Sequence, residues 1–350
     1  MRALALVVAC ALAGGAVAAE LPSGKQVVED ATGRRVTMPN STKIRKVYPA
    51  GPPAAVLLFT LAPEKLAGWT IGLDDAQKAL LPESVRGLPK VGRLSGKGST
   101  ANVEEVLKSG VDMVLDVGTV SGSSHALAKD TAERTGLPTL LMDGTFDKLP
   151  ATYRTLGRVL GCEKRGEELA SYLERNLSEI RDGLAQVPAG PRPRVYYGRG
   201  PKALDTAVAG SVNAEALERA GLDNVAKAAG PRGAVVPVSP EDLLVWNPEL
   251  ILTIEAPAFE HVKSDPVFHT LAAVKTGQVY LSPGRPFGWI DYPPSVNRLL
   301  GVFWLTHLLY PTIFHGDLAA KVAEFHKVVY QRALAPAELA DLMKGLQKKP

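Results

Sequence analysis

Four arginines of this chain stand in glycine- and proline-rich segments: Arg93 in GRLSGKGS (92–99), Arg199 in YYGRGP (196–201), Arg232, and Arg285 in SPGRPFGWID (282–291). A planar guanidinium donates two parallel hydrogen bonds, which suits carboxylates and other oxygen-rich anions. Trp69, Tyr197 and Trp289 stand near them, with Tyr48 before a Pro-Ala-Gly turn, in a chain that is only 6% aromatic. Such rings can pack a flat or bulky organic molecule. Together these eight residues point to a mildly anionic ligand that is bound and not transformed.

Catalysis lacks its parts. The sequence has no GxSxG, no Walker-type phosphate loop and no dinucleotide fingerprint. YYGRGP has two glycines but not the required spacing. Asp291 beside Trp289 is a conceivable general acid, yet spacing supplies no second group. Bare zinc or manganese needs converging histidines and carboxylates. The histidines are 125, 261, 269, 307, 315 and 326, with neither HExxH nor paired cysteines, so no metal site is expected. Haem differs, because a single axial oxygen or nitrogen suffices; Tyr48, Tyr197 and Tyr292 are candidates.

What must position these loops is an α/β chain. VVEDATGRRVTMP is a hairpin about residues 31–33. IRKVYPAG and KLAGWT read as strands, with PAAVLLFTLA a helix between them. NVEEVLKSG has an Asn cap, an acidic first turn and a closing Gly. VDMVLDVG is a continuous apolar run of the kind buried in a parallel sheet. HALAKDTAERTG is helix and LPTLLMDG is strand. Residues 149–187 keep helical spacing, with Gly161 and Gly166 as points to kink or break it. VPAGPRPR ends that stretch. A second series follows: PRVYYGRG, NAEALERAG, SPEDLLVWN, PELILTIEAP and GQVYLSPG. Helices then lie near 297–310, 317–331 and 336–347. Trp246 and Trp304 are assigned to packing. In an open α/β sheet ligand lies beyond the carboxyl ends of the strands, and that rule selects the loops carrying the arginines.

The chain also echoes itself. NVEEVLKSGVDMVLDV (102–117) superposes without a gap on SPEDLLVWNPELILTI (239–254), at an offset of 137. Glu104 meets Glu241, Leu107 meets Leu244, and Asp112 meets Glu249. Two lobes of like build are expected.

The hairpin with IRKVYPAG, the two echoing units, DPVFHTLAAVKTGQVYLSPG, and the late DLAAKVAEFHKVVYQRALAPAELADLM give the chain its likeness. It resembles the periplasmic substrate-binding proteins of ATP-driven importers, in the group that takes up ferric siderophores, haem and cobalamin. The resemblance covers nearly the whole mature chain. It implies two α/β lobes with mainly parallel sheets, joined by a long bridging helix, with the ligand in the cleft between them. It implies a binder and not an enzyme, with an iron(III) chelate as ligand and no intrinsic cofactor. Haem, corrinoid or an oxyanion such as molybdate are alternatives, and an exported hydrolase is a lower one. The partner would be an ABC-transporter permease dimer in the inner membrane, docked through Glu104 and Glu241. Taken singly, each of these glutamates is explained by the helix dipole.

Composition agrees. The 350 residues are 46% hydrophobic and 22% charged, with a net charge of +4 and no basic cluster dense enough for nucleic acid. Residues 1–19 form a secretory signal: Arg2, an apolar run over 4–12, and small residues at 16–19. Cys10, in VVAC, is a poor site for lipid attachment. The mature protein is expected in the periplasm, as a monomer. Cys162 is then the only mature thiol, so the core must provide stability without a disulfide. The apolar run 299–314 is too short to span a membrane. The expected division is a lobe over 20–148, the bridging helix over 149–187, and a second lobe with a helical tail over 188–350.

Overall fold

The computed structural model describes residues 19–21, 24–95, 100–227, 235–344 and 346. The leader with Cys10, part of 92–99, and Arg232 lie outside them. Strands β1 (Ala19–Leu21), β2 (Lys25–Glu29) and β3 (Arg35–Pro39) form an antiparallel sheet. Gly33, at φ 82°, turns the β2–β3 hairpin. Asp30 fixes the turn by accepting the N–H groups of Thr32 and Arg34 at 2.9 and 3.1 Å.

The first lobe is a parallel three-stranded sheet, ordered β4 (Val47–Pro49), β5 (Met113–Gly118), β6 (Thr139–Asp143). Helix α1 (Pro52–Leu61) follows β4, and eight of its ten residues are buried. KLAGWT does not form the expected strand: it makes only isolated bridges, Leu66 to Val47 and Trp69 to Lys90. Pro89 O approaches so closely that a Cβ on Gly68 would lie 2.4 Å from it. Short helices α2 (Asp75–Ala79) and α3 (Glu83–Arg86) precede α4 (Val103–Lys108), and α5 (Gly122–Thr135) links β5 to β6.

Residues 149–187 are two helices, not one. Helix α6 (Leu149–Leu160) ends at Gly161, whose left-handed φ of 70° caps it, and α7 (Glu163–Leu184) then runs on for 22 residues. Gly166 sits within α7 without breaking it. There the two helices touch so tightly that a Cβ would lie 2.6 Å from Tyr153 O. Beyond α7 the second lobe comprises β7 (Arg194–Arg199), β8 (Asp205–Ala207), α8 (Glu215–Arg219), β9 (Asp223–Asn224), β10 (Val235–Pro237), α9 (Pro240–Trp246) and β11 (Leu250–Thr253); β7 is parallel to β9 and β11 and antiparallel to β8, which is antiparallel to β10. Then come α10 (Ala256–Ser264), α11 (Ala272–Lys275) and β12 (Val279–Leu281). The order β10-β8-β7-β11-β12 places β11 between two parallel neighbours, as β5 is in the first lobe.

The echo therefore holds in three dimensions. Helices α4 and α9 begin 137 residues apart, and so do β5 and β11. The matched acids also do the same work. Asp112 accepts the Lys46 N–H at 2.9 Å just before β4, and Glu249 accepts the Arg194 N–H at 3.0 Å at the start of β7. Two residues further on stand Tyr48 and Tyr196, both buried and both donating to a loop carbonyl, Val91 O and Ala203 O.

The tail, α12 (Arg298–Leu309), α13 (Leu318–Val328) and α14 (Pro336–Lys344), returns to the first lobe. Tyr330 packs on Phe59 of α1, and Phe287 packs on Phe59, Trp69 and Tyr330, with centroids 5.6–6.2 Å apart. One core thus runs through both lobes. Gly301 of α12 lets the 283–291 loop lie on it, since an added Cβ would meet Trp289 O at 2.2 Å. A backbone carbonyl held in a packed loop cannot step aside, so Gly301→Ala is expected to cost about 2 kcal/mol. Urea unfolding reads the loss, and an unchanged midpoint would contradict this packing.

Candidate functional site

A cavity of about 620 Å³ lies between the lobes at the carboxyl ends of the strands. The first lobe gives it Pro52, Pro53, Ile71 and Arg93. The second gives Arg199, Asp205, Asn213, Glu255 and the run 291–294. Arg93, Arg199 and Asp291 come from the arginine-bearing loops that the strand-end rule selected. Within them, alternate residues face opposite ways, and several of the chosen side chains face the core.

The second-lobe wall is organised by Asp291, whose side chain is wholly buried. Its Oδ1 accepts the Tyr197 hydroxyl at 2.5 Å, and its Oδ2 accepts Arg199 Nη1 and, at 2.8 Å, Asn213 Nδ2. Arg199 also lies 5.7 Å over the Tyr197 ring. The carboxylate is answered by a cation and two neutral donors, which is what a buried charge requires. Three elements that meet at the cleft are thereby fixed together. The loop itself is wired: the Gly288 N–H donates to Tyr292 O at 2.6 Å, and Asn297 Nδ2 donates to Gly288 O and Pro293 O at 2.5 and 2.8 Å.

Of the eight predicted ligand residues, Arg93 and Arg199 line the cleft. Tyr48 is 1% exposed, and burial pushes its hydroxyl up to about 12, with Glu105 adding to the shift. Trp69 is buried between Phe59 and Phe287, with its indole N–H on Val85 O at 2.9 Å. Tyr197 stands behind the wall holding Asp291, and burial raises its pKa. Arg285 turns outward to Asp341, at 2.7 Å. Trp289 is core, with no exposed surface. None of these five expected ligand contacts lines the cavity. Arg232 is outside the described residues.

Asp205, Asn213 and Glu255 line the cavity although the sequence did not single them out, and Tyr292, named above only as a haem-ligand candidate, lines it too. Tyr292 is 56% exposed, and of the three candidate tyrosines it is the one that lines the cleft. The signal available was the prolines after it, which stop Tyr292 from joining α12 and returning to the core. Among the described lining residues, two arginines face three carboxylates, so the wall is not the cationic basin that loop arginines alone suggested. Among the described residues, no group of three or more His, Cys, Asp or Glu side chains gathers as a metal site. Burial pushes the half-buried Cys162 thiol up to about 11, away from nucleophilic use.

Behind the first-lobe wall, burial pushes Asp116 from the ordinary 3.8 up to about 6. The Ser95 hydroxyl and the Val117 N–H, at 2.9 and 3.0 Å, pull the other way. Outside the cleft, Glu104 and Glu241 are exposed in the first turns of α4 and α9.

The profile of a family described as Periplasmic binding protein matches residues 81–286. No curated protein sequence matches. Among solved structures, an ABC transporter solute binding protein from Sulfurospirillum deleyianum aligns with a TM-score of 0.80 and 26% identity, over 91% of this chain and 99% of its own. MolA of Haemophilus influenzae, a molybdate periplasmic binding protein bound to molybdate, gives 0.70 and 22%, over 89% and 99%. CeuE of Helicobacter pylori, in a Ni-His complex, gives 0.72 and 20%, over 91% and 98%.

Two measurements check the wall. Trp289→Ala should cost about 3–5 kcal/mol in urea unfolding, as large-to-small changes of buried aromatics do. Tyr292→Ala should stay within about 0.5–1 kcal/mol of the parent, as exposed positions do; the reverse order of costs would contradict the assignment. Asp116 gives a pH test. Between about pH 4 and 6 the folded Asp116 keeps a proton that the unfolded chain has lost, so stability falls as pH rises through that window. Asp116→Asn removes this fall. The variant's Tm should gain on the parent's from pH 4 to pH 7, whereas a gap independent of pH would count against a buried, raised Asp116.

Proposed function

We propose that this chain, which belongs to the periplasmic binding protein family, captures an iron(III) chelate of siderophore type in its interlobe cleft and delivers it to the permease of an ABC importer. It is a solute-binding protein and not an enzyme, and proteins of this kind work with a permease and ATPase complex. No helix among the described residues is long and apolar enough to cross a membrane. The protein acts as a monomer in the periplasm.

One observation carries the ligand class: the size and mixed lining of the cleft. About 620 Å³ is the volume of a site for a drug-sized organic molecule. A bare oxyanion calls for a small set of converging donors, whereas Arg199 is already committed to Asp291 and two further carboxylates, Asp205 and Glu255, line the same cavity. Prolines 52, 53, 293 and 294 with Ile71 and Tyr292 offer the apolar surface that an organic chelate presents. Arg93 would meet its oxygen-rich face, and the Tyr292 phenol would approach its iron. Haem and corrinoid are the alternatives of similar size, and an oxyanion such as molybdate fits this lining less well.

The experiment is a tryptophan-fluorescence titration against ferrioxamine B, haemin, cyanocobalamin and molybdate, with native mass spectrometry on the same samples. A bound complex with the ferric chelate is expected. Binding of haemin, cyanocobalamin or molybdate alone, or of none of the four, would overturn the assignment. For delivery, Glu104→Arg and Glu241→Arg should each abolish uptake through the cognate importer while leaving chelate affinity unchanged.

A further inference from the structure

Only four large hydrophobic side chains among the described residues are substantially exposed: Leu107, Leu244, Val245 and Tyr292. Tyr292 lines the cleft. The other three lie on α4 and α9, the two helices that repeat at an offset of 137. Leu107 and Leu244 are equivalent positions, three residues after Glu104 and Glu241, and they are exposed to the same degree, 49% and 48%. Residues three apart are neighbours on a helix surface, so each lobe presents one carboxylate and one leucine side by side.

Isolated apolar residues on a surface need no explanation. Here the same exposed leucine recurs at the same place in both halves, beside the same acid, and among the described residues only Val245 and Tyr292 are large apolar groups of like exposure. Each helix also enters the following strand within a few residues and therefore runs back along it. Its first turn, which carries the glutamate, lies toward the cleft end of its lobe.

We propose that Leu107 and Leu244 are paired apolar anchors for a two-fold symmetric partner, each copy of which offers a basic side chain beside an apolar recess. This rests on the docking role proposed above for Glu104 and Glu241, and the partner is the importer's permease as a dimer of like subunits. The carboxylates select a cationic face and speed the encounter but remain in water, where ion pairs hold weakly. The leucines hold the complex, because their burial removes apolar area from water and gains from both copies at once. Val245, 83% exposed next to Leu244, widens the second-lobe contact. Its counterpart in the first lobe is Lys108, within 3.9 Å of Glu104, so that contact is the more polar one.

The test uses the full-length mature protein and its cognate permease–ATPase assembly in nanodiscs. Binding of Leu107→Ser, Leu244→Ser and the double variant is measured at low and high salt, beside Glu104→Gln and Glu241→Gln. Each serine should weaken binding about tenfold, at both salt concentrations, by loss of buried apolar area. Each glutamine should weaken it mainly at low salt. Thermal melting and ferrioxamine B affinity should be unchanged in all variants. If the double serine variant binds the assembly within twofold of the parent while the glutamine variants lose binding, the anchors are wrong and the docking reading stands. If neither set changes binding, both fail. If the parent is a dimer in solution that the double serine variant converts to monomer, the leucines serve a second copy of this chain and the proposal falls.

Discussion

Arg298 has no exposed surface, yet it reaches oxygens from four places in the chain. Its Nε donates to Ser295 O at 3.0 Å, and its Nη1 donates to Val212 O and Glu215 Oε2 at 2.9 and 2.6 Å. Its Nη2 donates to Gly144 O, at the end of the first lobe, and the Phe146 ring lies 4.5 Å from the guanidinium. An unanswered cation at this depth would cost several kcal/mol. Glu215 answers it, and the same carboxylate accepts the Phe146 N–H at 2.9 Å. Burial lowers the pKa of Arg298, and the Glu215 carboxylate opposes that shift. One buried ion pair therefore joins the exit from the first lobe to α8 and to the start of α12, just after the cleft-lining run 291–294.

The rest of the site follows from that junction. Ser295, which receives Arg298 on its carbonyl, donates its hydroxyl to Pro53 O at 3.2 Å on the opposite wall. Gln77 Nε2 reaches Pro286 O at 2.9 Å, and the ring cluster of Phe59, Trp69, Phe287 and Tyr330 packs the lobes together to one side. Lobes tied in this way cannot swing widely, so the cleft must be largely formed before ligand arrives. Preorganised walls reduce the ordering cost of binding, and Asp291 does for the second wall what Arg298 does for its base.

Much of this was legible in the sequence, at the level of elements. The hairpin, the alternation of helix and strand, and the internal repeat all follow from local signals: caps, a turn glycine and apolar runs. The repeat was legible down to Asp112 and Glu249, because an acid at the entry to a central strand serves the same backbone in both lobes. The site was legible only as loops. Which side chain of a loop faces ligand depends on what packs behind it, and that is a long-range fact. Trp69 and Trp289 attracted a ligand reading because they are aromatic and lie in loops near the arginines; each also follows a glycine, Gly68 and Gly288. Those glycines are there to let the backbone approach Pro89 and the loop around Tyr292, and the rings go inward to the shared core. Arg285 is drawn off by Asp341, 56 residues away, which no local pattern reveals. Tyr292 is the counter-example, an aromatic held outward because the prolines after it forbid a helix.

A ligand held between two fixed walls must touch both lobes. Hydrogen–deuterium exchange with and without ferrioxamine B tests it most directly. New protection is expected only at backbone amides near Ile71 and Arg93 in the first lobe and near residues 199–205 and 288–292 in the second. No change is expected in the junction around Phe146 and Arg298, which is already buried and bonded. Protection in one lobe alone, or a ligand-dependent change centred on that junction, would contradict it.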